Sequence, residues 1–268
     1  LFRQYKDVSA SERTQVWNNG FSDYMFPIHM TKEQLDNRLS SLSISQKLSK
    51  ILYIDQQPAG IYLHGEGVFS GEKTAWLGGM AVDSKFRNQH LSVQMLHEFE
   101  LTAKSRNTDT LYLEAIDGNN RAIFIYQKFG FVPICKVLML ESQKKYPLKT
   151  HHEIQKVETL EAIGITEDKA TLWQNKTIHG YDCLGIYAAK DLVGYAVVSF
   201  KEDCLVFHQI KLDEAYTQIK SVLGSFQINY APKRWIGSNL VADEATTQSL
   251  LANGFSEVLS QHQYRKKI

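Results

Sequence analysis

The chain has 268 residues, 43% hydrophobic and 22% charged, with a formal net charge of +1. That near-neutral balance excludes a broad basic footprint for nucleic acid or an anionic membrane surface, and no apolar run approaches the roughly 20 residues that span a bilayer. The length suits about two domains of roughly 100–150 residues each.

Residues 2–8 read as a first strand. Ser9-Ala10-Ser11-Glu12 has capping-box spacing, which predicts a helix through Val16 and Trp17 that Gly20 ends. Phe21-Ser22-Asp23-Tyr24-Met25-Phe26-Pro27 is an aromatic connection, suited either to contacting a ligand or to packing between two helices. A second helix follows Thr31, over about residues 32–42. Strands at 49–54 and 60–64 are joined by a hairpin over 55–59 with Pro58 in the turn. A turn through Glu66, Gly67, Ser70, Gly71 and Glu72 leads into a strand at 74–82. This order, with an antiparallel meander after the helices, points to an α+β layered domain.

A polar connection, Arg87-Asn88-Gln89-His90-Leu91-Ser92, then enters an amphipathic helix with Leu91, Met95, Leu96, Phe99 and Ala103 at helical spacing. A strand at 111–115, the turn Asp117-Gly118-Asn119-Asn120, a helix over 121–129 and Gly130-Phe131 follow. A strand, a turn and a helix amino terminus together suit a phosphate group, because free N–H groups and the helix dipole point at it. Residues 132–140 read as a buried strand. The polar, proline-containing stretch 144–152 is expected as a linker between domains at 1–143 and 153–268.

In the second half a helical stretch is expected at 160–173, strands at 183–189, 192–200 and 204–212, a helix at 216–226 and a strand at 235–241. An Asx-capped helix beginning at Asp243 and running to 252, then Gly254-Phe255 and a last strand, complete it. The order repeats the end of the first half, so two copies of one architecture are expected, the second divergent. Cys135, Cys183 and Cys204 are far apart with no Cys-x-x-Cys pair, which argues against a disulfide framework and a zinc site. They read as reduced packing thiols of a cytoplasmic protein, with no metal. The amino terminus lacks the layout of a signal peptide, and a chain opening on Leu1 leaves room for a short missing segment.

Two motifs resemble those of the GCN5-related N-acetyltransferase (GNAT) family. One is Arg87-Asn88-Gln89-His90-Leu91-Ser92, set against Arg/Gln-x-x-Gly-x-Gly/Ala. The other is Asn119-Asn120-Arg121-Ala122-Ile123-Phe124-Ile125-Tyr126 followed by Gly130-Phe131, which matches Asn-x-x-Ala-x-x-x-Tyr and its Gly-Phe. The resemblance covers about residues 1–142, and the second half only in its order of elements. It implies an acyl-CoA N-acyltransferase fold, α+β with a mixed, mostly antiparallel sheet flanked by helices, repeated in tandem.

It also implies transfer of an acetyl group from acetyl-CoA to an unidentified primary amine by direct attack, in the amino-terminal domain. The backbone of Asn88, Gln89, His90, Leu91 and Ser92, with Arg87, would hold the pyrophosphate, and that of Met80, Ala81 and Val82 the pantetheine arm. Asn119 would contact the same arm or cap its helix, and Tyr126 would lie near the thioester sulfur as hydrogen-bond donor to the leaving thiolate. Glu114 is the nearest candidate base, ahead of Glu66, His64 and Glu72.

His90 and Ser92 stand where the family has small residues. The histidine either turns its ring outward or weakens cofactor binding, and in the second case the chain is a non-catalytic acyl-CoA-binding or protein-interaction module. In the second copy Leu250 replaces Tyr126, Asp243 replaces Asn119, and Asp213-Glu214-Ala215-Tyr216 sets carboxylates where pyrophosphate would sit, so no CoA is expected there. A monomer or homodimer without nucleic-acid or membrane partners is expected.

Overall fold

The computed structural model describes residues 1–268 except 27, 70, 149, 150, 169, 170, 214, 215 and 217. Two compact units divide the chain, and neither is one continuous segment. The first holds Leu1–Ala115, Asn119–Pro133 and Tyr264–Ile268; the second holds Ile116–Gly118 and Ile134–Gln263. The stretch 144–152 is where the order of elements starts over along the chain. Compactness cuts earlier, because the strand that closes the first series of elements packs within the second unit.

The first unit contains β1 (Phe2–Gln4), α1 (Ala10–Gly20), α2 (Lys32–Ser41), β2 (Lys50–Ile54), β3 (Gln57–Phe69), β4 (Glu72–Val82), α3 (Leu91–Lys104), most of β5 (Thr110–Ile116) and α4 (Asn120–Lys128). Its strands lie in the order β1-β2-β3-β4-β5. The final residues of β12 (Ser256–Lys267) follow β5, and the Ile268 amide donates to the Asp109 carbonyl at 3.1 Å. β4 and β5 pair parallel, whereas β1 to β4 pair antiparallel.

The expected stripe of α3 is realised, since Leu91, Met95, Leu96, Phe99 and Ala103 are all buried. They pack with Leu111, Leu113, Ala115 and Tyr126 on one face of the sheet. On the other face Val16 and Trp17 of α1 and Leu35 and Leu39 of α2 pack with Ile51, Ile61, Leu63 and Ala81.

Several local expectations change for identifiable reasons. β1 ends at Gln4 because residues 5–7 form a 3-10 turn that buries Tyr5. Ser9 Oγ accepts from the Glu12 amide at 3.2 Å, but its hydroxyl also donates to the Glu12 carboxylate, so the reciprocal half of a capping box is not made there. The complete box opens α2, where Thr31 and Gln34 bond each other's amides at 3.2 and 2.8 Å. The hairpin turn is Asp55-Gln56, with φ of 46° and 63°, the left-handed pair that suits a two-residue loop. Pro58 lies in β3 itself, at a register shift, where a missing N–H is tolerated. β3 also runs on through Glu66 and Gly67 to Phe69, so the turn is confined to the residues between Phe69 and Glu72; Ser70 lies outside the described residues.

The second unit contains most of β6 (Val132–Ser142), then β7 (His152–Val157), β8 (Asp182–Ala188), β9 (Asp191–Lys201), β10 (Cys204–Leu212), α5 (Ile219–Tyr230), β11 (Arg234–Val241), α6 (Ala245–Ala252) and the first part of β12. The strand order is β12-β6-β11-β10-β9-β8-β7, with β10 and β11 parallel. β6 is not buried throughout: Val132, Pro133 and Ile134 are exposed, and burial begins at Val137, where pairing with β11 begins. No α-helix forms over 160–173 among the described residues; a 3-10 turn over Glu161–Ile163 closes on Gly164 in the left-handed conformation, and the chain continues irregularly. α6 is capped by Glu244 without a side-chain bond, so Asp243 is not an Asx cap.

The series β8-β9-β10-α5-β11-α6 repeats β2-β3-β4-α3-β5-α4, and the helix ends agree in detail. Phe131 N donates to Tyr126 O at 3.0 Å across Gly130 (φ 93°), and Phe255 N to Leu250 O at 3.2 Å across Gly254 (φ 109°). Both are glycine-dependent helix stops of the same kind.

Candidate functional site

In the first unit β4 and β5 pair at Thr74–Thr110, Ala75–Leu111 and Trp76–Tyr112, and then no further. Beyond that level the strands part, leaving the β5-facing edge of Met80, Ala81 and Val82 open while their other edge pairs with Tyr62, Ile61 and Gly60 of β3. A bulge marks the start of the opening. Gly79 has φ 156°, and a Cβ there would lie 2.7 Å from the Trp17 ring. Only glycine passes so close to the indole in that conformation.

At the end of the opening, β4 runs into the loop before α3. Asp83, buried, accepts from Asn19 Nδ2 at 2.8 Å and from the Lys85 amide at 3.0 Å, fixing a 3-10 turn over Ser84–Phe86. Asn88 and His90 both adopt left-handed backbone, with φ of 64° and 57°. The first bonds into α3 are donated by Val93 and Gln94 to the His90 carbonyl. Among the described residues the amides of Asn88, Gln89, His90, Leu91 and Ser92 donate to no protein acceptor. These donors at a helix start form an anion-ready concavity. The His90 side chain is exposed and makes no cap bond.

Arg87 behaves differently from expectation. Its guanidinium grips Asp23 at 2.5 and 2.7 Å and donates to the carbonyls of Gly20 (3.0 Å) and Val82 (3.3 Å). That bond to Arg87 is the main reason the Asp23 carboxyl is held below its usual range, and burial opposes it. Arg87 therefore fastens the loop to the end of α1. A further cation beside the loop is Arg121, exposed at the start of α4, whose Nη2 donates to Asn88 Oδ1 at 2.9 Å. Sequence reasoning passed over Arg121 because it sits inside the Asn-x-x-Ala motif at a variable position; the same holds for Asp83, whose partner Asn19 is 64 residues away.

Asn119 caps α4, accepting from the Ala122 amide at 3.2 Å, and its Nδ2 reaches the Tyr24 hydroxyl at 3.5 Å. Tyr126 is 8% exposed, its hydroxyl makes no hydrogen bond among the described residues, and burial, then the nearby Tyr24 and Glu114, push its phenol well above the usual range. Glu114 lies on β5 two residues beyond the last paired position. Of the other base candidates, Glu66 is held by Arg106, and Glu72 by Lys267 and Thr110 at the opposite end of β4. His64 is fully buried, with neither ring nitrogen partnered, and burial pushes it down to about 4. Tyr24 belongs to the aromatic connection and packs on Phe21, which packs on Trp17; Pro27 of that connection lies outside the described residues. Burial raises the thiols of Cys183 and Cys204, the opposite of what a nucleophilic cysteine needs.

The second unit has the same parting, after Phe207–Gly237. There Asn175 bridges it, beside a cavity lined by Gln209, Ile210, Asn239 and Leu240. Asn175 is 2% exposed, and its Nδ2 donates to the carbonyls of Ser238 (2.7 Å) and Asn239 (3.2 Å) on β11, while Gln209 of β10 donates to the Asn175 carbonyl at 2.8 Å. The loop before α5 includes residues 214, 215 and 217, so part of the expected Asp213-Glu214-Ala215-Tyr216 segment lies outside the described residues.

Residues 13–131 match the acetyltransferase (GNAT) family. No curated protein sequence matches the chain. Among solved structures, a GCN5-related glucosamine N-acetyltransferase region of a fungal multi-domain GH3 β-N-acetylglucosaminidase aligns with a TM-score of 0.74 at 11% identity. The alignment covers 99% of this chain and 38% of that one, so the chain spans well under half of the fungal protein. A GCN5-related N-acetyltransferase from Sphaerobacter thermophilus aligns at 0.70 and 9% identity, over 100% of this chain and 95% of that one. A tandem GNAT protein from the clavulanic acid biosynthesis pathway, solved without acetyl-CoA, aligns at 0.65 and 10% identity, over 100% and 98%. At these identities the likeness is one of fold, and it extends over the whole chain.

Proposed function

Because the chain belongs to the acetyltransferase (GNAT) family through its amino-terminal domain, we propose that this domain transfers an acetyl group from acetyl-CoA to a primary amine, without a covalent enzyme intermediate. One juxtaposition carries the reading: unpaired amides at Asn88, Gln89, His90, Leu91 and Ser92 stand at the end of the opening between β4 and β5. The amides, with Arg121 beside them, would hold the pyrophosphate, and the open edge of Met80, Ala81 and Val82 would pair with the amide groups of the pantetheine arm. Arg87 and Asp83 would hold the loop in shape.

The amine nitrogen attacks the thioester carbon, a C–N bond forms, the C–S bond breaks, and CoA leaves as a thiolate that takes up a proton. Tyr126, with its phenol held protonated by burial, is suited to donating a hydrogen bond to that sulfur rather than to surrendering its proton. Glu114, two residues beyond the last β4–β5 pair, would receive the proton of the incoming amine. Most of the acceleration would come from holding two substrates in line. The exposed His90 ring is free of any cap bond that would fix it over the loop amides, which favours this reading over a non-catalytic module with a blocked phosphate loop.

The second unit would bind no acetyl-CoA, since Asn175, held by Gln209 of β10 and bonded to carbonyls of β11, stands in the gap that a pantetheine arm would enter. The reading is tested by incubating the protein with acetyl-CoA and a panel of primary amines while following free thiol and product mass. Thiol release matched by a 42 Da gain on an amine is expected; release matched only by hydrolysis to acetate would refute amine transfer.

A further inference from the structure

Arg38, on α2, places its guanidinium where β4 and β5 part. Its Nη2 donates to the Gly78 carbonyl at 3.0 Å, and its Cζ lies 5.9 Å from the Trp17 ring centre. Nε is buried without a partner, and Nη1 makes no hydrogen bond among the described residues. Gly78 and Glu114 each stand two residues beyond the last pair, Trp76 and Tyr112, so this cation and this carboxylate flank the opening at one level. Strand alternation agrees. Leu111, Leu113 and Ala115 face α3 and α4, so Tyr112 and Glu114 face the side of α1 and α2. The Glu114 charge acts on Arg38 against the effect of burial.

A planar guanidinium with donors left over matches a carboxylate, which it can take in bidentate fashion. A cation and an anion at one level of the opening are jointly neutral, so they suit a zwitterion. A polycationic amine or a dianion would leave one charge unpaired in a poorly solvated place. In an α-amino acid the carboxylate and the amine sit on one carbon, so a carboxylate on Arg38 brings the nitrogen next to Glu114.

Building on the acetyl-transfer reading of this same opening, we infer that the acceptor is an α-amino acid, or a compound ending in that amino-carboxylate pair, anchored by Arg38. The ammonium passes one proton toward Glu114, the neutral nitrogen attacks the thioester, and the products are the N-acetyl amino acid, CoA thiol and one released proton.

The test compares the twenty common amino acids with their methyl esters, which lack the carboxylate charge, in acetyl-transfer assays. At least one free acid should exceed its ester in kcat/KM by about 10-fold or more. Arg38→Gln should bring that ratio close to one, and Arg38→Lys should restore part of it. Melting temperature and calorimetric acetyl-CoA affinity establish that each variant is folded; if Arg38→Gln is not, the wild-type and Arg38→Lys ratios decide. Esters used as well as acids, or a loss in Arg38→Gln that is equal for both, would overturn the inference. Acetyl-CoA binding with no transfer to any free amino acid would overturn it while leaving the donor site standing, whereas failure to bind acetyl-CoA would defeat both.

Discussion

Tyr126 combines near-complete burial with a hydroxyl that has no protein partner among the described residues, so its oxygen contributes little to the fold. Tyr126→Phe should therefore melt within about 1 kcal/mol of the parent while kcat falls on the order of 10²-fold with little change in the KM for acetyl-CoA. A KM effect without a kcat effect would place the residue in binding instead. His64 supplies a second prediction. Burial lowers its pKa from 6.5 to about 4, so the proton binds the unfolded chain more readily than the folded one. Its contribution to stability is complete above pH 6.5 and is lost between 6.5 and about 4, to a total on the order of 3 kcal/mol. Urea melts across that range should show the loss, and His64→Gln should flatten that part of the curve; an unchanged slope would mean the ring is solvated. At this scale the motif residues Asn119 and Tyr126 were legible as a cap and a buried phenol. Arg38 and Asp83 were not, because each acts through a group 40 or 64 residues away that no local pattern marks.

The loop before α3 is the element on which the proposed pyrophosphate binding rests, and its geometry is set by Asn88 and His90 in a conformation that glycine adopts without cost. If backbone donors and not the imidazole hold the ligand, His90→Gly should keep acetyl-CoA affinity within about 3-fold and leave stability within about 1 kcal/mol of the parent. A large loss of affinity, read by calorimetry, would show that the ring itself is a ligand. Periodicity made α3 readable, since its five apolar positions recur at helical spacing and all are buried. Composition misled elsewhere. Pro58 drew the turn away from Asp55-Gln56, and Leu160, Ile163 and Ile165 of the stretch expected as a helix instead pack against Cys183, Tyr195 and Val197 from a 3-10 turn and irregular chain.

Over the whole molecule, repetition was visible in the order of elements and in Gly130-Phe131 against Gly254-Phe255, because a glycine-dependent helix stop leaves a mark in the sequence. That the last residues, Tyr264–Ile268, belong to the first unit was not, since nothing in a strand's own residues says which neighbour it takes. Tyr264, near the chain's end, is 3% exposed within the core of the first unit. Tyr264→Ala should destabilise by about 3 kcal/mol or more in denaturant melts; a cost under about 1 kcal/mol would contradict its place in that core. On the proposed reading one opening takes a CoA thioester and the other is bridged by its own chain. Calorimetric titration of the intact protein with acetyl-CoA tests this most directly: one site per chain is expected, and two sites, or none, would contradict it.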